Sequence, residues 1–238
     1  MSWINQVVNM DCLEGLNQLP DHCIDLVLTD PPYNIDLAYH EYKDTMSEED
    51  FWKFIENVYR QLYRVLKTDC HLTFTCSQKQ IWIYKPMLEE IGFTFRHVGV
   101  WHNPKRKAGS YPGQWPYAWE PIMDFTKGDK FRKLFNGNSV GGTDVWVEED
   151  PKGIVHPAAR PVNCWKDLVG LLSQKGELVL DPFMGSGTTA FVCKELGRKY
   201  VGFEIDIAYC KMIEIRLQNI FEVVEEEKVQ VEQIGLEF

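Results

Sequence analysis

The sequence predicts an α/β fold, a doubly wound parallel sheet, and three observations carry that prediction. Ile24-Asp25-Leu26-Val27-Leu28-Thr29 is a largely apolar run of strand length, the pattern of a parallel strand covered on both faces. A second such run, Leu178-Val179-Leu180, leads into Gly185-x-Gly187-x-x-Ala190 and a helix-forming stretch. Between them, strand-like and helix-like segments alternate along most of the chain.

Taken in order, Gln6 to Met10 reads as a short strand and Cys12 to Leu19 as a short helix. After the strand at 24–29, Asn34 to Met46 is polar and unpatterned, a loop. Ser47 followed by Glu48, Glu49 and Asp50 is a helix start, with a capping hydroxyl and an acidic first turn. Phe51, Phe54, Ile55, Val58, Leu62 and Val65 then keep helical spacing. His71 to Cys76 is a strand. A helix through Ile81, Tyr84, Leu88 and Ile91 ends at Gly92, which suits a left-handed cap. Phe93 to Trp101 is strand-like. From Asn103 to about Gly153 periodicity lapses, and the chain is rich in Gly, Pro, Trp, Tyr and Lys. Order returns with a helix through Trp165, Leu168 and Val169, the strand at 178–180, a helix from Thr188 to Leu196, the strand Tyr200 to Glu204 and a helix from Ala208 to about Val224. The expected divisions are 1–102, 103–153 and 154–238, the outer two being halves of one domain.

Composition bounds the function. At 238 residues and 45% hydrophobic content the chain is long enough for one large core. No apolar run reaches bilayer length, no membrane is expected, and the start lacks the layout of a secretion signal. Seven cysteines without paired spacing read as reduced thiols in a cytoplasmic protein, and no cluster suggests a metal. The net charge of −10 is unevenly spread. Residues 96–133 hold eight basic side chains against three acidic ones, and six Glu face Lys228 beyond residue 221. The basic segment, with Lys105, Arg106, Lys107, Lys127, Lys130 and Arg132, is either a solvated face or a face for nucleic acid.

Two sites are expected at strand ends. Asp30-Pro31-Pro32-Tyr33 stops the strand at 24–29, because neither proline can donate to a ladder. A carboxylate, rigid carbonyls and an aromatic face there suit a planar group bearing an NH2. The glycine loop, with Glu204 following Gly185 by 19 residues, suits an adenosine-containing cofactor whose ribose hydroxyls meet Glu204. Asp181 would repel a pyrophosphate but suits an ammonium or sulfonium group, and no Lys follows the glycines. One strand and one helix remain downstream, so S-adenosylmethionine fits better than NAD.

These motifs, in this order, resemble the amino-methyltransferases of DNA, specifically their permuted β group. The resemblance covers nearly the whole chain: Asp11 to Leu16, Asp30 to Asn34, Trp119-Glu120-Pro121-Ile122, His156 to Pro161 and Asp181 to Thr189. Arg160 departs from it, standing where the family usually has Lys. The resemblance implies a Rossmann-like methyltransferase sheet, circularly permuted, with an inserted target-recognition segment. It implies Asp11 and Cys12 near the cofactor adenine, Glu204 at the ribose, and Asp181 near the methionine amino group. His156, Arg160, Ser186 and Thr188 would surround the methionine end, with Phe183, Gly185 and Gly187 shaping the loop. Asp30, Pro31, Pro32 and Tyr33 would hold an exocyclic amine of a base flipped from double-stranded DNA. Adenine N6 is the expected target; cytosine N4, an RNA base and a non-catalytic binding subunit are the alternatives. A homodimer and a separately acting restriction endonuclease are the further partners the resemblance brings.

Overall fold

The computed structural model describes residues 3–36, 45–105, 115–130, 143–151 and 159–218. The apolar run becomes β2 (Ile24–Thr29), with every residue buried. Leu26 and Leu28 face one core and Val27 the other, so helices must cover both sides. On the first side lie α1 (Cys12–Asn17), α2 (Glu48–Val65) and α3 (Ile81–Ile91). On the second lie α4 (Val162–Leu172), α5 (Thr188–Glu195) and a helix over residues 207–218. No helix among the described residues is long and apolar enough to cross a membrane.

The remaining strands are β1 (Gln6–Asn9), β3 (Leu66–Thr75), β4 (Thr94–His102), β5 (Trp119–Thr126), β6 (Val145–Val147), β7 (Leu178–Asp181) and β8 (Lys199–Glu204). They form one sheet in the order β1-β8-β7-β2-β3-β5-β4-β6. Only β5 runs antiparallel to its neighbours. Counted from β7 as the first strand, with β1 after β8, the left five read 3-2-1-4-5, the doubly wound Rossmann order. The winding reverses between β7 and β2, and there the carboxyl ends of two strands open a crevice.

Local signals that the sequence announces are present. Ser47 caps α2 by accepting from the Asp50 N–H at 3.1 Å, and Gly92 ends α3 at φ 116°. Two strands differ from expectation, since β5 and β6 lie inside the aperiodic segment 103–153. β5 joins β3 to β4 and is buried from Pro121 onward. Its proline falls where β3 ends, with Cys76 N–H donating to the Pro121 carbonyl at 3.3 Å, so few ladder bonds are lost.

Candidate functional site

β7 ends at Asp181, which is 3% exposed. Its carboxylate accepts from Thr29 Oγ1 at 2.6 Å, Thr189 Oγ1 at 2.6 Å and the Phe183 N–H at 3.0 Å. Asp181 therefore straps β7 to β2 and to the start of α5, on the floor of the crevice. Burial pushes its carboxyl up to about 6, against the pull of its three donors. The loop after it is tight: Gly187 sits at φ 77°, and a Cβ there would lie 2.7 Å from Ile213. Gly185 N–H donates to Glu204 Oε2 at 2.8 Å, and Asp206 N–H to Glu204 Oε1 at 2.9 Å. Burial raises Glu204 to about 7, with its two backbone donors opposing. Asp11 caps α1, taking the Leu13 N–H at 2.9 Å, and Cys12 beside it is buried. Arg216 holds the loop from the helix side, donating to the Ser186 carbonyl at 2.8 Å and to Thr188 Oγ1 at 3.2 Å.

One crevice is lined by Asp11, Cys12, Phe183, Gly185, Ser186, Thr188 and Glu204 and also by Asp30, Pro32 and Arg160. The two strand-end sites inferred from sequence thus share one opening. On the Asp30 side, a polar network closes the proline turn. Asp30 Oδ1 accepts from Thr75 Oγ1 at the end of β3 and from Tyr33 Oη at 2.9 Å. Arg160 Nε donates to Asp30 Oδ2 at 2.5 Å, and its terminal nitrogens reach Glu120 Oε2 at 2.5 Å and Tyr33 Oη at 3.3 Å. Tyr33 Oη also lies 3.0 Å from Glu120 Oε2. Burial pushes the Asp30 carboxyl up, Arg160 pulls it back, and Glu120 adds to the rise. Gln80 donates to the Tyr33 carbonyl at 2.9 Å, and Asn34 exchanges two bonds with the Met46 backbone, at 2.9 and 2.8 Å.

Arg160 is turned differently from expectation. Its guanidinium meets two carboxylates on the Asp30 side rather than only bordering the cofactor end, because Asp30 and Glu120 offer it paired negative charge. The structure also corrects Lys127. It is 7% exposed, and its ammonium donates to the carbonyls of Tyr63 at 2.5 Å and Leu66 at 2.9 Å, at the end of α2. A buried ammonium spent on a helix end cannot meet a phosphate. Lys130 is exposed just beyond it, at the end of the strands opposite to Asp30: Thr126 pairs with His71, whereas Ile122 pairs with Thr75. Lys105 is largely exposed and lies 2.7 Å from Glu149. Arg106, Lys107, Arg132 and His156 lie outside the described residues.

Sequence reasoning missed Glu120 and Thr75 as members of the site. For Glu120 a signal existed: it is the single acid between Arg96 and Phe131 that precedes an apolar strand-like run, at the end of the aperiodic stretch.

A permuted doubly wound sheet, with a glycine loop and an acid-and-proline turn facing one crevice, defines a nucleotide-cofactor transferase architecture. The chain belongs to the DNA methylase family of N6/N4 methyltransferases, whose model matches residues 24–215. It is 28% identical to the Type II methyltransferase M.HpaI of Haemophilus parainfluenzae, over 91% of this chain and 75% of that protein. It is 29% identical to the Type II methyltransferase M.BglII of Bacillus subtilis, over 87% of this chain and 67% of that protein. Among solved structures it resembles an M1.HpyAVI complex with S-adenosylmethionine (TM-score 0.70, 22% identity, 89% of this chain and 99% of that one). It also resembles the cytosine-N4-specific PvuII DNA methyltransferase (TM-score 0.75, 19% identity, 89% of this chain and 87% of that one). At these identities the structural likenesses speak for the fold alone. The family membership makes this an S-adenosylmethionine-dependent DNA methyltransferase.

Proposed function

We propose that the chain transfers a methyl group to the N6 amino group of adenine in duplex DNA, after the base has been rotated out of the helix. The observation that carries this reading is the shared crevice, lined by the Asp30 turn and the glycine loop together. When bound, S-adenosylmethionine supplies an electrophilic methyl on a sulfonium. Glu204 would accept hydrogen bonds from its ribose hydroxyls, Asp11 and Cys12 would border its adenine, and Ser186 and Thr188, with His156, would border its methionine end. The loop glycines Gly185 and Gly187 and the ring of Phe183 shape the seat.

An exocyclic amine is a weak nucleophile, because its lone pair is delocalised into the ring. Asp30 accepts one of its N–H groups and the Pro31 carbonyl the other. That grip turns the lone pair out of the ring plane towards the methyl carbon, and displacement follows in line. Pro32 stiffens the turn, and the Tyr33 ring lies against the flipped base. Lys105, with Arg106 and Lys107, meets phosphates from the segment between β4 and β5. Adenine is favoured over cytosine by the Asp-Pro-Pro-Tyr form of the turn, since the Ser-Pro-Pro-Tyr form goes with cytosine N4. The second reading, cytosine N4, draws on the likeness to the PvuII enzyme.

The deciding experiment is incubation of the protein with labelled S-adenosylmethionine and methylation-free duplex DNA, then digestion to nucleosides and mass spectrometry. N6-methyladenine is expected; N4-methylcytosine instead would select the second reading.

A further inference from the structure

The Asp30 network has more donors and charge than a simple acceptor for an amine needs. Thr75 and Tyr33 both reach Asp30 Oδ1, and Arg160 Nε reaches Oδ2. A carboxylate oxygen has two lone pairs, so Oδ2 keeps one free among the described partners, and Oδ1 is filled only while Tyr33 donates to it. Arg160, however, carries a fork that could seize both oxygens of Asp30 in the bidentate manner guanidinium groups favour. The nitrogen beside Nε, Nη2, reaches Tyr33 Oη at 3.3 Å instead, while Glu120 Oε2 anchors the other terminal nitrogen, Nη1, at 2.5 Å. Glu120 competes for the Tyr33 proton as well: that hydroxyl has one hydrogen and two carboxylates, at 2.9 and 3.0 Å. Both carboxylate side chains are largely buried, at 15% and 16% exposure, and that of Arg160 is 9% exposed.

We infer that Glu120 is a positioning residue for methyl transfer, anchoring the Arg160 guanidinium and competing for the Tyr33 proton so that Asp30 meets the target amine with an open lone pair. The inference rests on the function proposed above. Two carboxylates and one guanidinium leave one net negative charge in the pocket. Among the described neighbours, burial holds Tyr33, Tyr59, Tyr84 and Cys76 in their neutral forms, and Asp181, whose carboxyl rises to about 6, adds to the negative charge near neutral pH. That surplus charge matches the course of the reaction. The amine lone pair forms the new N–C bond while the S–C electron pair leaves with sulfur, so the positive charge passes from sulfur to nitrogen. The nitrogen then sheds one proton to the open lone pair of Asp30, and water carries it away. Without Glu120 the Asp30–Arg160 pair would be neutral and Asp30 saturated by Arg160 and Tyr33. Without Arg160 two buried carboxylates would confront each other, and one would take up a proton.

The test compares the full-length wild type with Glu120→Gln, Glu120→Asp and Arg160→Met. It reads kcat and KM for duplex DNA against pH, the S-adenosylmethionine affinity, and the titration of the Asp30 carboxyl by 13C NMR without substrate. Glu120→Gln is expected to lower kcat at least 30-fold while KM and cofactor affinity stay within threefold. Removing a negative neighbour stabilises the Asp30 carboxylate, so the acid limb of kcat and the Asp30 resonance both move to lower pH. Arg160→Met moves both the other way, and Glu120→Asp, which keeps the charge, recovers part of kcat. A Glu120→Gln enzyme with kcat within threefold of wild type overturns the inference, as does a loss of kcat with limb and resonance unmoved. Should Glu120→Gln not fold, Glu120→Asp decides: reduced kcat at unchanged KM supports the inference, wild-type kcat overturns it. A wild type that methylates no DNA defeats the proposed function instead. The substrate-free resonance then still decides the electrostatic claim, a shift to lower pH supporting it and no shift overturning it.

Discussion

Asp30 receives donors from three elements, β3, the proline turn and the segment before α4, so its removal should strike the reaction without dismantling the cofactor seat. Asp30→Ala is expected to abolish methyl transfer while S-adenosylmethionine affinity changes by less than about tenfold, roughly 1.4 kcal/mol, by calorimetry. Turnover at the wild-type rate would remove Asp30 from the reaction. Glu204 makes a second prediction, about pH. Its folded value of about 7 stands above the ordinary 4.5 because burial favours the protonated form. The stability it lends is therefore complete below the ordinary range and lost as pH rises through about 7. Ribose hydroxyls donate to the carboxylate form, so binding below pH 7 must expel a proton. Cofactor affinity is expected to climb by up to about tenfold per pH unit between about 5.5 and 7 and then level off. Glu204→Gln should flatten that climb; an unchanged slope in the variant would assign it elsewhere.

At the scale of the element, Lys127 is the clearest case of a side chain whose charge serves the fold. It joins the turn after β5 to the carboxyl end of α2, where helix carbonyls lack intrahelical partners. Lys127→Met is expected to cost about 2–4 kcal/mol, seen as a melting point lower by roughly 5–12 °C, with the salt dependence of DNA binding unchanged. The same lysine shows where sequence reading stops. In a list of basic residues Lys127 and Lys105 look alike; only the antiparallel course of β5 sends one under α2 and leaves the other outside. Elements with a local cause were legible: the Ser47 cap, the Gly92 terminus, the proline stop after Thr29 and the tight loop at Gly187 each follow from one residue's chemistry. β5 was not, because a strand covered on both faces has no alternation, and Pro121 and Glu120 at its start read as loop. The Asp30 and glycine-loop ends of the site were visible for the same local reasons. Thr75, Glu120 and the turn of Arg160 towards them depend on β3, β5 and the segment before α4 meeting, which no short window of sequence records.

Across the whole molecule, a chain of net charge −10 must bind a polyanion through a local surface. Changing Lys105, Arg106 and Lys107 together to Ala is expected to reduce the slope of log affinity against log salt by about 0.9 for each phosphate no longer neutralised, read from fluorescence anisotropy across a salt series. An unaltered slope would mean that the phosphates lie against another face. The pairing of β1 with β8 has a consequence of a different kind. Asn9, at the end of β1, donates to the Glu204 carbonyl at 3.0 Å across a separation of 195 residues. A ribosome adding about 5–20 residues per second needs on the order of 10–40 s to cover that distance. Throughout this interval the Val7-Val8 pair has no native strand partner, and its backbone edge stays open to pairing with a foreign strand.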